Sequence, residues 1–326
     1  CLYMVSSASS AYVIRSFENT FKAGGTVEHS LGFDAKISGL EWANSQVSLP
    51  QLYTPEVEAF LYGKNAGSCT IEYTLGNAYF LTGLFNNPVT QDNTTNNTQV
   101  KRIWKSDPTL NANIRTAKSQ HLEFGAALTG ENVVRNAKGC IVESVNLKTS
   151  IDNPVSVTES FVWGKEDAIS TSLDSTVPNN ASFTAMNFVH STVEMPNGST
   201  LSKVQDLDLT INRNQKLLYS LGSADASAAY PQLLEMTGKV TLAFENADIL
   251  DIVVARGEIA SFEITITNGL TNAAQRSLTL LFSGVGLSKH GTPTVAPGDL
   301  ITQEFDFTCR SIVATAIDAT AIFNWT

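Results

Sequence analysis

The feature that most constrains this chain is period-two alternation of apolar and polar residues. In "CTIEYTL", Cys69, Ile71, Tyr73 and Leu75 fall on one side. In "DLDLTI", Leu207, Leu209 and Ile211 oppose Asp206, Asp208 and Thr210. "KVTLAF" groups Val240, Leu242 and Phe244, and "EFDF" alternates Glu304 and Asp306 with Phe305 and Phe307. Successive side chains of a strand point to opposite faces, so such runs are strands with one face in a core and one in water. Gly, Pro and Asn clusters break the runs at short intervals, as turns do. Helical pattern is scarce. The best candidates are "NAYFLTGLF" (77–85) and "NADILDIVVA" (246–255), each opened by an Asn suited to an N-cap. The expected class is mainly β, with about one short helix per folding unit.

The two helix candidates also point to an internal repeat. Asn77-Ala78 aligns with Asn246-Ala247 at an offset of 169 residues, and the same offset pairs Leu40 with Leu209, Trp42 with Ile211, Gln46 with Gln215, Ile71 with Val240 and Leu81 with Leu250. Upstream, "TVE" (26–28) matches "TVE" (192–194). Downstream, "VNL" (145–147) matches "VGL" (285–287) at 140, and "VTESFVW" (157–163) matches "ITQEFDF" (301–307) at 144. Five blocks in one order point to two tandem units. The fall from 169 to 140 gives the first unit about 29 extra residues, in a window that contains "NNPVTQDNTTNNTQ" (86–99). The expected organisation is an N-terminal arm over 1–24, a first domain over 25–166 with an insertion within about 86–120, a polar linker over 167–187, and a second domain over 188–326. The insertion reads as a solvent-facing decoration.

Composition excludes several classes. Of 326 residues, 43% are apolar, enough for two cores, and only 16% are charged. The net charge of −10 leaves no clustered Lys and Arg to grip phosphates. The longest basic run, "VKRIWK" (Lys101, Arg102, Lys105), reads as a solvated face. Cys1, Cys69, Cys140 and Cys309 form no CxxC, so neither a zinc ribbon nor a redox motif is expected. Cys1 reads either as a trimmed terminus or as a lipid-modified cysteine. No run approaches the ~18 apolar residues of a membrane-crossing helix.

Catalytic signatures are missing too. His29, His121, His190 and His290 are far apart, without HxH or HExxH spacing. "SGVGLSKHG" (283–291) holds a Gly-x-Gly without the third glycine or a following helix, so it is no dinucleotide loop. There is no GxSxG elbow. The alternating carboxylates Asp206/Asp208 and Glu304/Asp306 are a solvated acidic sheet face or, less simply, an acid–base or Ca²⁺ site. Asn93, Asn96, Asn180, Asn197 and Asn324 open Asn-x-Ser/Thr sequons, which matter only where a glycosylation machinery acts. No enzyme activity and no cofactor are expected.

The matched blocks resemble the tail tube (major tail) proteins of tailed viruses, in the form that carries two tube domains in one chain. In the second unit the resemblance rests on "FVHSTVEMPNGSTLSKVQDLDLTINRNQKLLYSLGS" (188–223), "YPQLLEMTGKVTLAFENADIL" (230–250) and "PTVAPGDLITQEFDFTCRSI" (293–312). In the first it rests on "EHSLGFDAKISGLEWANS" (28–45), "FLYGKNAGSCTIEYTLGNAYFL" (60–81) and "ESVNLKTSIDNPVSVTESFVWGKE" (143–166). The resemblance implies a β-sandwich with a flanking helix, inner sheets that join between subunits into a barrel, and a trimer that mimics a six-membered ring. It also implies a virion location and tail terminator, tape-measure and baseplate or sheath proteins as partners. DNA would pass without specific binding, and no membrane is involved. A carboxylate wall suits that passage because it repels phosphate. Asp206, Asp208, Glu304 and Asp306 are the channel-facing candidates, although Gly39, Ser160 and Val162 stand at the matching places of the first unit, so an outward position is the alternative. The segments 46–67 and 215–238 carry the ring-stacking candidates Leu52, Tyr53, Phe60, Tyr62, Leu218, Tyr219 and Tyr230, with a loop folded over its own core as the alternative. An extracellular adhesin or pilus-like filament of tandem sandwiches is the rival reading.

Overall fold

Wherever the sequence alternates, the chain is extended. The computed structural model describes residues 11–25, 27–50, 57–93, 99–128, 130–174, 184–195, 204–243, 257–271, 274–290 and 301–319. The strands of the first half are β1 (Ala11–Phe17), β2 (Glu28–Ser30), β3 (Phe33–Pro50), β4 (Val57–Thr74), β5 (Thr90–Asn93), β6 (Gln99–Lys105), β7 (Gln120–Ala127), β8 (Asn132–Ser150), β9 (Ser156–Trp163) and β10 (Lys165–Glu166). The second half adds β11 (Thr192–Glu194), β12 (Val204–Asn212), β13 (Lys216–Tyr219), β14 (Ala226–Tyr230), β15 (Glu235–Ala243), β16 (Glu258–Thr267), β17 (Ser277–His290) and β18 (Thr302–Ala319). The one described α-helix is α1 (Phe80–Phe85), all six residues buried. Asn77 does not cap it. Its Oδ1 accepts from the Tyr79 N–H at 3.0 Å and its Nδ2 donates to the Leu31 carbonyl at 2.8 Å, fixing the turn out of β4. The second helix candidate, 246–255, lies outside the described residues.

The fold is mainly β. All described strands except the β13–β14 pair join one antiparallel sheet. Within it runs the order β3-β4-β9-β8-β12-β15-β18-β17. The first four strands and the last four are connected in the same order. Register follows suit: Ile71 stands opposite Glu159, and Val240, 169 residues on, stands opposite Phe305. Val142 pairs with Phe161 just before a β-bulge, and Leu287 pairs with Phe307 just before another. These pairings put the last strands at offsets of 146 and 145, so the "VTESFVW" and "VNL" matches are out of register. The "TVE" match also separates, because Glu28 opens β2 beside β1 whereas Thr192–Glu194 is β11 beside β16. Alternating runs look alike at several slips, and only cross-strand partners choose between them.

The long strands β8 and β17 leave this run and continue into a second layer. Residues 132–140 of β8 pair with β7, and β7 pairs with β1. Residues 277–286 of β17 pair with β16. The layers face each other across aromatic contacts between unpaired strands. Phe262 of β16 packs edge-on against Phe307 of β18 at 4.9 Å, and Phe124 of β7 lies 6.2 Å from Trp163 of β9. The alternating residues Ile71, Tyr73, Leu207, Leu209, Ile211, Val240, Phe305 and Phe307 form the buried side of the inner layer.

Three boundary segments are tied to the sheet. The arm contributes β1, whose Arg15 is fully buried. The first part of the linker is bound to the sheet, with Ser170 and Val134 exchanging backbone bonds of 3.0 and 2.8 Å. The insertion is not a free decoration. It forms the β5–β6 hairpin, and β6 adds to the C-terminal half of β18, from Val313↔Lys105 to Ala319↔Gln99. "VKRIWK" is therefore only in part a solvated face, with Lys101 exposed. Arg102 and Trp104 are buried in that added strand, Arg102 Nε donates to Gln91 Oε1 at 3.1 Å, and burial lowers the Arg102 pKa to about 10. Residues 94–98 lie outside the described residues.

Candidate assembly surfaces

The polar side of the eight-strand run is built by cross-strand register. Asp206 and Asp208 project from β12, and Glu304 and Asp306 from β18, all on the side away from the core. The intervening β15 puts Lys239 directly opposite both Asp208 and Asp306, and Thr241 opposite both Asp206 and Glu304. On the far side of β12, Lys148 of β8 faces Asp208. One row thus reads Lys148–Asp208–Lys239–Asp306 across four strands. Opposite charges directly across strands attract, whereas a purely acidic row would repel itself. Lys239 Nζ reaches Glu304 Oε2 at 2.6 Å, and that bond is the first cause of the raised Lys239 pKa. Asn146 Nδ2 donates to Asp208 Oδ1 at 2.5 Å and Thr210 Oγ1 at 3.0 Å. The four carboxylates do share one face, interleaved with two ammonium groups. Further along, Glu72 stands opposite Lys36 and Thr158.

The second surface is the hairpin β3–β4. β3 is an edge strand exposed along most of its length, including Ile37. Its counterpart β12 is paired on both sides and buries Leu207, Leu209 and Ile211. Near the hairpin tip Phe60 and Tyr62 are 52% and 70% exposed, together with Val47, Leu49 and Leu61. Leu52 and Tyr53 lie outside the described residues. Apolar side chains grouped this way mark a surface that another protein covers.

The β13–β14 hairpin leaves Leu218 and Tyr230 exposed, but Tyr219 turns inward. Tyr219 Oη donates to the Asn65 carbonyl at 2.5 Å, and the Lys64 ammonium lies 5.3 Å from its ring. Asn65 N–H donates to the Ala224 carbonyl and Asn65 Nδ2 to Asp225, both at 2.8 Å. Behind this hairpin, buried Gln215 donates through Nε2 to the Val142 carbonyl at 2.6 Å and the Gly83 carbonyl at 3.3 Å. The second half is thus keyed onto the first. The offset of 169 pairs Gln215 with Gln46 in the sequence but gives neither a role.

These are the marks of a structural subunit: among the described residues the eight-strand run ends on edge strands, with exposed apolar side chains on the hairpins beside them. The sequence model of the phage tail tube protein family matches residues 54–309. The chain belongs to that family, and its place is the virion tail. No curated protein matches it.

Proposed function

We propose that three copies close into a ring, and that the rings stack into the hollow tube through which the viral genome passes. The two tube domains are 25–166 and 188–326, joined through 167–187. The observation that carries this is the repeated four-strand order. Within one chain β8 of the first set pairs with β12 of the second. The same junction between chains joins β17 of one copy to β3 of the next. Carrying the β8–β12 register across sets Ala43 opposite Lys289 and Trp42 opposite His290. Such pairing removes edges that otherwise aggregate.

Strand count favours three copies. Eight strands per chain at ~4.8 Å spacing and ~40° tilt make a 24-strand wall roughly 48 Å across its backbones. Side chains leave roughly 38 Å, ample for duplex DNA. Two copies leave only about 22 Å by the same geometry, a tight fit. The polar row Lys148–Asp208–Lys239–Asp306 then faces the channel. Its charges are met by neighbours, so it offers phosphates no unopposed cation. The segments 46–67 and 215–238 stack one ring on the next.

Electron microscopy of the purified protein, with mass photometry at rising concentration, tests this. Trimers and hollow tubes are expected. Solid fibres, or a monomer at every concentration, rule the reading out.

A further inference from the structure

The outer half of the β3–β4 hairpin and the β13–β14 hairpin are one device in two positions. Their registers coincide at the offset of 169. Val47↔Leu61, Ser48↔Phe60 and Leu49↔Ala59 correspond to Lys216↔Tyr230, Leu217↔Ala229 and Leu218↔Ala228. The joint is what differs. In the second set, β12–β15 pairing stops at Asn212↔Glu235, and residues 213–215 and 231–234 carry the hairpin out of the sheet. Asn214 turns there with φ of +49°. In the first set the ladder runs on, but its register shifts at the same place, between Asn44 and Gln46. Gly63 opposes that shift so closely that a Cβ would stand 2.2 Å from Ser45 Oγ.

We propose that the first hairpin hinges at Asn44–Gln46 and Tyr62–Lys64 when the ring closes, and folds onto the second set of the neighbouring copy. This rests on the ring proposed above. The occupant is a second copy of this chain, because the chain already holds the same joint within itself. Gln215 there seats on the Val142 carbonyl. The counterparts are Gln46, which is exposed, and Leu287, the residue just before the matching bulge. The chemistry of the seat differs. Within the chain, Lys64 and Asn65 receive a hairpin that carries Tyr219 and Asp225. Their counterparts on the neighbour are Leu233, 69% exposed, and Leu234, an apolar place for an arriving hairpin to cover.

The hinge also sets an order of assembly. Leu218 and Tyr230 stay exposed after their hairpin has docked. Hinging presents Leu49 and Leu61 in the same attitude, completing a collar of six hairpins. A chain outside a ring holds its first hairpin straight and has no such collar, so stacking follows closure.

Near-atomic electron cryomicroscopy of the tubes tests this directly. The expected result is a chain turn at Ser45 and Gly63, with Gln46 on the Leu287 carbonyl of the adjacent copy. A straight β3–β4 hairpin in the tube overturns the hinge while leaving the ring intact. Absence of any ring sinks the earlier reading instead. The variant Gln46→Leu is expected to unfold as the parent does, yet to need about tenfold more protein for ring formation. An unchanged requirement overturns the role given to Gln46.

Discussion

Glu159→Gln is the substitution with the most to say about how the first half is held together. Glu159 of β9 and Arg15 of β1 have side chains of zero exposure, 2.5 Å apart. Arg15 Nη1 also donates to Oε2 at 3.3 Å, and Tyr73 Oη donates to Oε1 at 2.5 Å. Burial pushes the Arg15 pKa down, but Glu159 and Tyr73 more than restore it, and burial with Glu159 holds the Tyr73 phenol well above its usual range. Attraction at 2.5 Å is worth about 7 kcal/mol at an effective dielectric of ~20. Desolvation of two ions takes back several kcal/mol each, so the intact pair is near neutral for stability. Losing one partner leaves the other buried and uncompensated, at about 3–5 kcal/mol. The second half carries Phe305 at the register position of Glu159. Arg15→Met with Glu159→Phe is expected to recover only part of that cost, because the buried Tyr73 hydroxyl loses both partners and keeps about 1–3 kcal/mol of it. Urea unfolding read by tryptophan fluorescence measures both, with Trp163 four residues along β9. A cost below about 1 kcal/mol for Glu159→Gln, or a double variant no better than the worse single, refutes the reasoning.

Three further outcomes are expected. His29 packs against Tyr79 at 4.3 Å, and burial, with nearby Arg15, lowers its pKa to about 4. Against an ordinary 6.5, the unfolded chain binds the extra proton first, so stability falls by about 3 kcal/mol as pH drops from 6.5 to 4. His29→Phe flattens that limb of the urea midpoint against pH, and an unchanged slope contradicts it. Lys239→Gln removes a bridge whose partners are 47% and 37% exposed, and costs less than about 1 kcal/mol, with no loss in high salt. Trp104→Ala removes a fully buried side chain of β6 and costs about 3–5 kcal/mol in the same assay. A near-neutral result means that the insertion is not part of the cooperative fold.

Alternation made the inner sheet legible, because burial on one face writes a period of two into the residues. Cys69, Ile71 and Tyr73, and Leu207, Leu209 and Ile211, are buried as that period requires. The recurrence of strand order was legible through β3, β4 and β12, β15, where the offset of 169 is constant past the bulges. It blurred in β8 and β9, because bulges and slips leave the pattern intact while moving the partner. The insertion misled because its polar tip, 86–99, says nothing about where the following strand pairs. Pairing with β18, with Thr82 of α1 against Trp104 and Gln91 of β5 against Arg102, explains why Arg102 and Trp104 are buried. Spacing placed Asp206 with Asp208, and Glu304 with Asp306, on one side of their own strands, and pairing through β15 brings the two pairs onto one face. Their lysine neighbours came from strands 60 or more residues away in one case and 31 in another, which local pattern cannot show.

β3 exposes the remaining problem of such a subunit and how its sequence meets it. Among the described residues β3 pairs with β4 alone, and an edge strand of 18 residues is a template for any other edge. β3 is not a regular one. Its pairing with β4 shifts between Phe33 and Lys36, Ser38 and Glu41, Asn44 and Gln46, and Leu49 and Pro50. Gly39, at φ +60°, makes the second shift possible, in a conformation that costs a side-chain-bearing residue more than glycine. A bulge bends and twists the edge, so a flat strand pairs with it over only a few residues. Lys36 and Glu41 add charge where an intruding apolar strand would lie. β17 carries its own register shift between Leu287 and Lys289, as β8 does between Val142 and Ser144 in the junction already formed. In the proposed ring, the irregular edge is matched to one partner, and the same bulges that spoil accidental pairing are what a neighbouring copy accepts.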